Sequence, residues 1–144
     1  MTPHRIAKFY THTCWRDCGL PGTLIHIFWS CPHIRQLWTD IERTLQEILH
    51  LPIALSPHLA ILNLTIEDIP PNLRLVTTHV LLATRLLIAR KWKTKDTPTL
   101  IEVIALVQSH FTYETILSRG KPTFTKMINL WNPWILWYTN THDK

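Results

Sequence analysis

Glycine is nearly missing from this chain, with three residues in 144 against ten prolines. So small a supply excludes a glycine-rich phosphate-binding loop, and no nucleophile-elbow pattern is present either. Long apolar runs are missing as well. The best candidate, Leu75–Ala89, is interrupted by Thr77, Thr78, His79, Thr84 and Arg85, so no membrane span and no membrane partner is expected. Acidic residues are few, ten in all, and scattered. No two of them lie side by side in the apolar, strand-like setting that a two-metal polymerase needs. Glu67-Asp68, just before Pro70-Pro71, reads as a loop or helix-entry pair. These absences point away from an enzyme and from a small-molecule substrate, towards a binding or structural module.

Apolar residues make up 46% of the chain, enough to bury a core. Few glycines with many leucines and isoleucines favour helices, and the prolines fall between them as punctuation. Pro3 through Tyr10 reads as a short helical turn. Pro32 opens a helix to about Leu49, with Ile34, Leu37, Trp38, Ile41, Leu45, Ile48 and Leu49 at steps of three and four. Residues 50–70 are apolar but irregular and read as a loop with one short helix. Pro70-Pro71 starts a helix to about Trp92, with a main stripe of Leu73, Val76, Val80, Ala83 and Leu87; its broad apolar surface suits a central position. Thr97 as cap and Pro98 at the first position predict a third long helix to about Arg119. Its inside is expected to carry Leu100, Ile101, Ile104, Val107, Phe111 and Leu117. After Gly120 and Pro122 comes a last element with Phe124, Met127, Ile128 and Trp131 at helical spacing, which Pro133 kinks or stops. Trp131, Trp134 and Trp137 form a stripe that packs on the other helices or, in a functional alternative, a platform for bases.

The expected fold is all-α: a small zinc-knuckle-like motif with a short N-terminal helix over 1–31, then a bundle of about four to five helices over 32–138, then a polar tail over 139–144.

All three cysteines lie in one stretch of 18 residues, Cys14 to Cys31, spaced with His26 as C-x3-C-x7-H-x4-C. Three soft thiolates and an imidazole are a tetrahedral zinc set, and four protein ligands make the metal structural rather than catalytic. Gly19, Pro21 and Gly22 let the chain fold back between the halves. Thr23 is placed to cap a short helix over Leu24–Ser30 that carries His26, with Cys31 at its end. A disulfide would leave an odd thiol and fits secretion, for which no signal peptide is visible. Buried packing cysteines and a cysteine nucleophile are the other readings of the same residues; the first needs no particular spacing and the second lacks a fixed activating partner. His33 is the nearest further imidazole, separated from the knuckle by Pro32. Reduced cysteines place the chain in the cytoplasm or nucleus rather than outside the cell.

The net charge of +5, with nine histidines besides, favours anionic partners. The densest positive cluster is Arg85, Arg90, Lys91, Lys93 and Lys95, in the last turns of the central helix and the loop beyond, where cations also suit the helix dipole.

The Cys14–Cys31 stretch resembles the cysteine-rich motif near the C-terminus of the second open reading frame protein of long interspersed element (LINE) retrotransposons. That motif runs C-x3-C-x7-H-x4-C, with Gly-Thr-Leu-Leu before the histidine and a tryptophan before the last cysteine. Cys14, Cys18, His26 and Cys31 match its ligand positions; Gly22, Thr23, Leu24 and Trp29 match, and Ile25 replaces a leucine. Leu37-Trp38, the run from Ile88 to Trp92, Thr97-Pro98-Thr99, Tyr113-Glu114, Phe124 and Trp131 extend the similarity from about Thr2 to about Tyr138. The resemblance implies the segment beyond the endonuclease and reverse transcriptase of a polyprotein, associated with RNA binding and retrotransposition competence. Neither catalytic set is carried by these residues. The implied partners are RNA or DNA and the rest of a reverse transcriptase polyprotein. On this reading Arg5, Lys8, Arg16, Arg90, Lys91, Lys93 and Lys95 contact phosphates, and Trp15 or Trp92 stacks on bases. The alternatives are a scaffold domain docking on a polymerase core, through a face such as Trp131–Tyr138, and a functionless remnant of an inserted element.

Overall fold

The computed structural model describes residues 13–16 and 18–142. The turn expected at Pro3–Tyr10, and with it Arg5 and Lys8, lies outside the described residues. The described residues are all-α. After a hairpin-like loop closed by a single antiparallel bridge between Thr13 and Pro21 comes a π-helical turn, His26–Ser30. Five α-helices follow: α1 (Pro32–Leu49), α2 (Pro57–Leu62), α3 (Pro71–Lys91), α4 (Leu100–Ser118) and α5 (Phe124–His142). A short 3-10 turn, Ile66–Asp68, precedes α3.

Proline opens α1, α2 and α3 for one reason. Its fixed φ suits the first turn, where its missing N–H leaves no bond unmade. On α1 every apolar residue of the expected stripe is buried, from Ile34 to Leu49. The helix ends at His50 in the left-handed region, φ 53°. The connection to α2 is tied back to α1 by side chains. Leu55 N–H donates to the Glu42 carboxylate at 2.8 Å, and Gln46 Nε2 donates to the Ile53 carbonyl at 2.8 Å.

α3 is the central helix, in contact with α1, α2, α4, α5 and the π turn. Val76, Val80, Leu81, Ala83, Leu87 and Ile88 are buried on it. Thr77 and Thr84 are buried too, and each hydroxyl donates to the carbonyl one turn back, so neither is left unpaired.

The structure differs from expectation at α4 and α5. The cap of α4 is Thr99, not Thr97: Glu102 N–H donates to Thr99 Oγ1 and that hydroxyl donates to the Glu102 carboxylate. This Thr-x-x-Glu pairing satisfies an end donor that a start at Pro98 would leave open. On α4 only Val103 and Val107 are fully buried. Leu100, Ile104 and Phe111 lie half-buried at the edges, while Ile101 and Leu117 are 78% and 52% exposed. Ile101 sits two residues from Val103, about 160° round the helix, so the two cannot both face the bundle.

Pro133 does not stop the last helix, which runs on to His142 and takes most of the expected polar tail into helical form, though exposed. Proline at 133 removes the bond to the Asn129 carbonyl. On either side of it, Trp131 and Trp134 are buried and tied to α4, Trp131 Nε1 to the Glu114 carboxylate at 2.6 Å and Trp134 Nε1 to Gln108 Oε1 at 2.9 Å. These anchors hold the helix across the missing bond. They also place both rings in the core rather than on a base-stacking platform.

Candidate metal centre

Cys14, Cys18, His26 and Cys31 converge, and their ligand atoms all lie within 4.8 Å of one another. Cys14 and Cys31 Sγ are 3.8 Å apart, which excludes a disulfide between them. It is also about the S···S edge of a tetrahedron with zinc–sulfur bonds of about 2.3 Å. Cys18 Sγ faces His26 Nε2 at 3.1 Å. Three thiolates and an imidazole nitrogen, aimed at one point and largely shielded from water, fit a structural tetrahedral cation. His33 lies exposed at the start of α1, outside the set.

The sequence builds this cluster locally. Cys14 N–H donates to the Leu20 carbonyl at 2.8 Å, closing the loop over Gly19, whose φ of +79° is a conformation that favours glycine. Thr23 caps the next turn as its position implies. His26 N–H donates to Thr23 Oγ1 at 3.2 Å, and Ile27 N–H to the Thr23 carbonyl at 2.9 Å.

From His26 the turn widens. Cys31 N–H bonds to the His26 carbonyl at 2.8 Å, an i to i+5 bond. This explains the x4 spacing. In an α-helix, residues five apart point about 140° away from each other, whereas the wider turn stacks them. Two carbonyls of the π turn are taken up from outside, Ile27 O by Arg16 Nη1 at 3.1 Å and Phe28 O by Trp38 Nε1 at 2.6 Å. Trp38, fully buried on α1, therefore fixes the knuckle to the bundle.

The electrostatics suit a ligand set. Burial, helped by the Arg16 charge, lowers the His26 pKa and keeps the imidazole neutral, the form that binds metal. Burial pushes the Cys14 thiol up. Cys31 is desolvated too, yet the His33 backbone N–H and the Arg16 guanidinium outweigh burial and hold its thiol below the ordinary value.

The expected phosphate contacts separate. Arg16 is corrected: at 4% exposure its guanidinium is folded into the knuckle, out of reach of a phosphate. Lys91 is held by the Glu102 carboxylate at 2.8 and 2.9 Å. Arg90, Lys93 and Lys95 are exposed around the end of α3, with Lys93 Nζ 4.9 Å from the Trp92 ring centre. Trp15 is exposed on the knuckle, and Trp92 is half-buried. The five-residue step from His26 to Cys31 is the spacing that signals the π turn, whereas nothing in the spacing signals the burial of Arg16.

No family model matches the chain. Among the described residues no helix is long and apolar enough to cross a membrane. Fold and site together define a helical bundle with a three-cysteine, one-histidine cluster docked on its first helix.

Proposed function

We propose that this chain is a non-catalytic nucleic-acid-binding module whose entry is stapled by zinc, akin to the C-terminal segment of a LINE reverse transcriptase polyprotein. The observation that supports this most is the convergence of the four ligands at the spacing on which that resemblance rests. Zinc would be held by Cys14, Cys18, His26 and Cys31, with no open position for chemistry. The exposed cations at the end of α3, chiefly Arg90 and Lys93 with Lys95, supply the phosphate contacts, and Trp15 offers a face for a base.

Binding of this kind is electrostatic. Affinity for a single-stranded RNA should fall by about 0.7 log units per log unit of salt for each phosphate neutralised. Arg90→Ala with Lys93→Ala should weaken binding and flatten that slope. An affinity indifferent to salt would overturn the reading.

A second function, docking on another protein, is favoured by a different observation. Ile101, Tyr113, Ile116 and Leu117 of α4 are all more than half exposed. Leu24, Ile25, Ile61 and Leu62, with Pro57 and His58, line an open apolar groove of about 420 Å³. Self-association of the chain in sedimentation, unchanged by salt and by the two alanines, would favour docking instead.

A further inference from the structure

We propose that Arg16 is the built-in counter-charge of the metal centre, a positioning residue that neutralises the thiolates and orients them through its N–H groups. The inference rests on the metal-binding reading of Cys14, Cys18, His26 and Cys31.

A buried guanidinium is costly unless it is paired, and Arg16 is 4% exposed. Nη1 donates to the Ile27 carbonyl at 3.1 Å and reaches Cys14 Sγ at 3.9 Å. Nε and Nη2 are buried without a hydrogen-bond partner, the only such side-chain atoms among the described residues. No carboxylate among the described residues forms an ion pair with it. Its neighbours in the knuckle are thiols, and a neutral thiol is a weak acceptor.

The metal-bound state removes this mismatch. Three thiolates, a neutral imidazole and a divalent cation leave one net negative charge. One guanidinium cancels it, and thiolate sulfur accepts from charged N–H groups far better than thiol sulfur does. Arg16 lies midway between Cys14 and Cys18 in the sequence, so the loop that presents two of the ligands also presents their counter-charge. Its bond to Ile27 O further holds the π turn, which carries His26 and leads into Cys31, against the same loop.

The test uses the full chain with Arg16→Met, Arg16→Gln and Arg16→Lys. Zinc affinity is read by competition with a chromogenic chelator, and ligand geometry by the absorption bands of the cobalt(II)-loaded chain. Loss of an outer partner of this kind is expected to weaken zinc binding by about 10- to 100-fold in the two neutral variants, with shifted cobalt–thiolate bands. R16K, which keeps the charge, should stay within about tenfold of the wild type. Should the apolar R16M fail to fold, the polar R16Q carries the neutral arm. Neutral variants that bind zinc as tightly as the wild type, or a lysine variant as weak as they are, would overturn the role of Arg16 while leaving the metal centre standing. A folded wild-type chain that takes up neither zinc nor cobalt would overturn both.

Discussion

The knuckle and the helical bundle are held by different forces. In the bundle, α1, α3 and α5 meet through aliphatic and indole side chains that are almost wholly buried, and its two buried α3 threonines are satisfied within their own helix. Residues 13–31 contribute Ile27 and two cysteines to the core, and bury an arginine and a histidine beside them. Phe28 and Trp29 pack against the core only in part, so the knuckle has far less apolar support than the bundle. The knuckle gathers three thiols and an imidazole that a shared cation would tie together, whereas the bundle rests chiefly on packing. Damage to one should therefore leave the other largely in place.

The largest expected effect breaks the knuckle. Cys14→Ser or His26→Ala should abolish stoichiometric zinc, read by mass spectrometry of the purified chain. Amide protection in the knuckle should be lost relative to the zinc-loaded wild type, read by hydrogen exchange, while the helical signal and urea midpoint of α1–α5 survive. Collapse of that signal would mean the bundle leans on the knuckle.

The reverse damage is next. Ile41 is fully buried on α1, and Ile41→Ala should cost about 2–5 kcal/mol with zinc content unchanged. A loss of metal along with stability would erase the distinction between the regions.

A pH series sharpens it. In the bundle His79 of α3 sits against His110 and Glu114 of α4 and the Trp131 ring of α5. Burial lowers its pKa, despite the nearby Glu114 carboxylate. It is therefore neutral at pH 7 and joined to Glu114 by an ordinary hydrogen bond rather than an ion pair. The unfolded chain then takes up a proton more readily than the folded one. Stability should be level above about pH 7 and fall as pH drops below about 6.5. Urea midpoints of the metal-free Cys14→Ser chain isolate this effect from metal release. His79→Gln should flatten the acid limb; an identical limb in that variant would remove His79 from the account.

The smallest effect is local. Thr99→Ala removes the cap of α4 and should cost about 1 kcal/mol, visible as a lower urea midpoint with zinc and the His79 limb unaltered.

How much of this was legible follows from the same division. The stripe of α1 and the centrality of α3 could be read from spacing, because packing on one face imposes a helical period. The gathering of Cys14, Cys18, His26 and Cys31 could be read from their chemistry and spacing. Arg16 could not, since a charged residue is exposed by default and only the surroundings of its guanidinium make it buried. The run of α5 through Pro133 was hidden for a related reason: Glu114 and Gln108, which accept from the indoles on either side of the break, come from α4. Ile101 and Leu117 misled because α4 is apolar on nearly every side, so composition does not say which side faces inwards.

The widened turn at His26–Ser30 has a consequence for how this region can change over evolutionary time. One surplus residue there is absorbed as girth, and Cys31 then leaves the helical path, φ −57° and ψ 129°, before Pro32 begins afresh. A rotation introduced upstream is thus not handed on to α1. The loop can gain or shed a residue while the register of the bundle beneath it stays where it was.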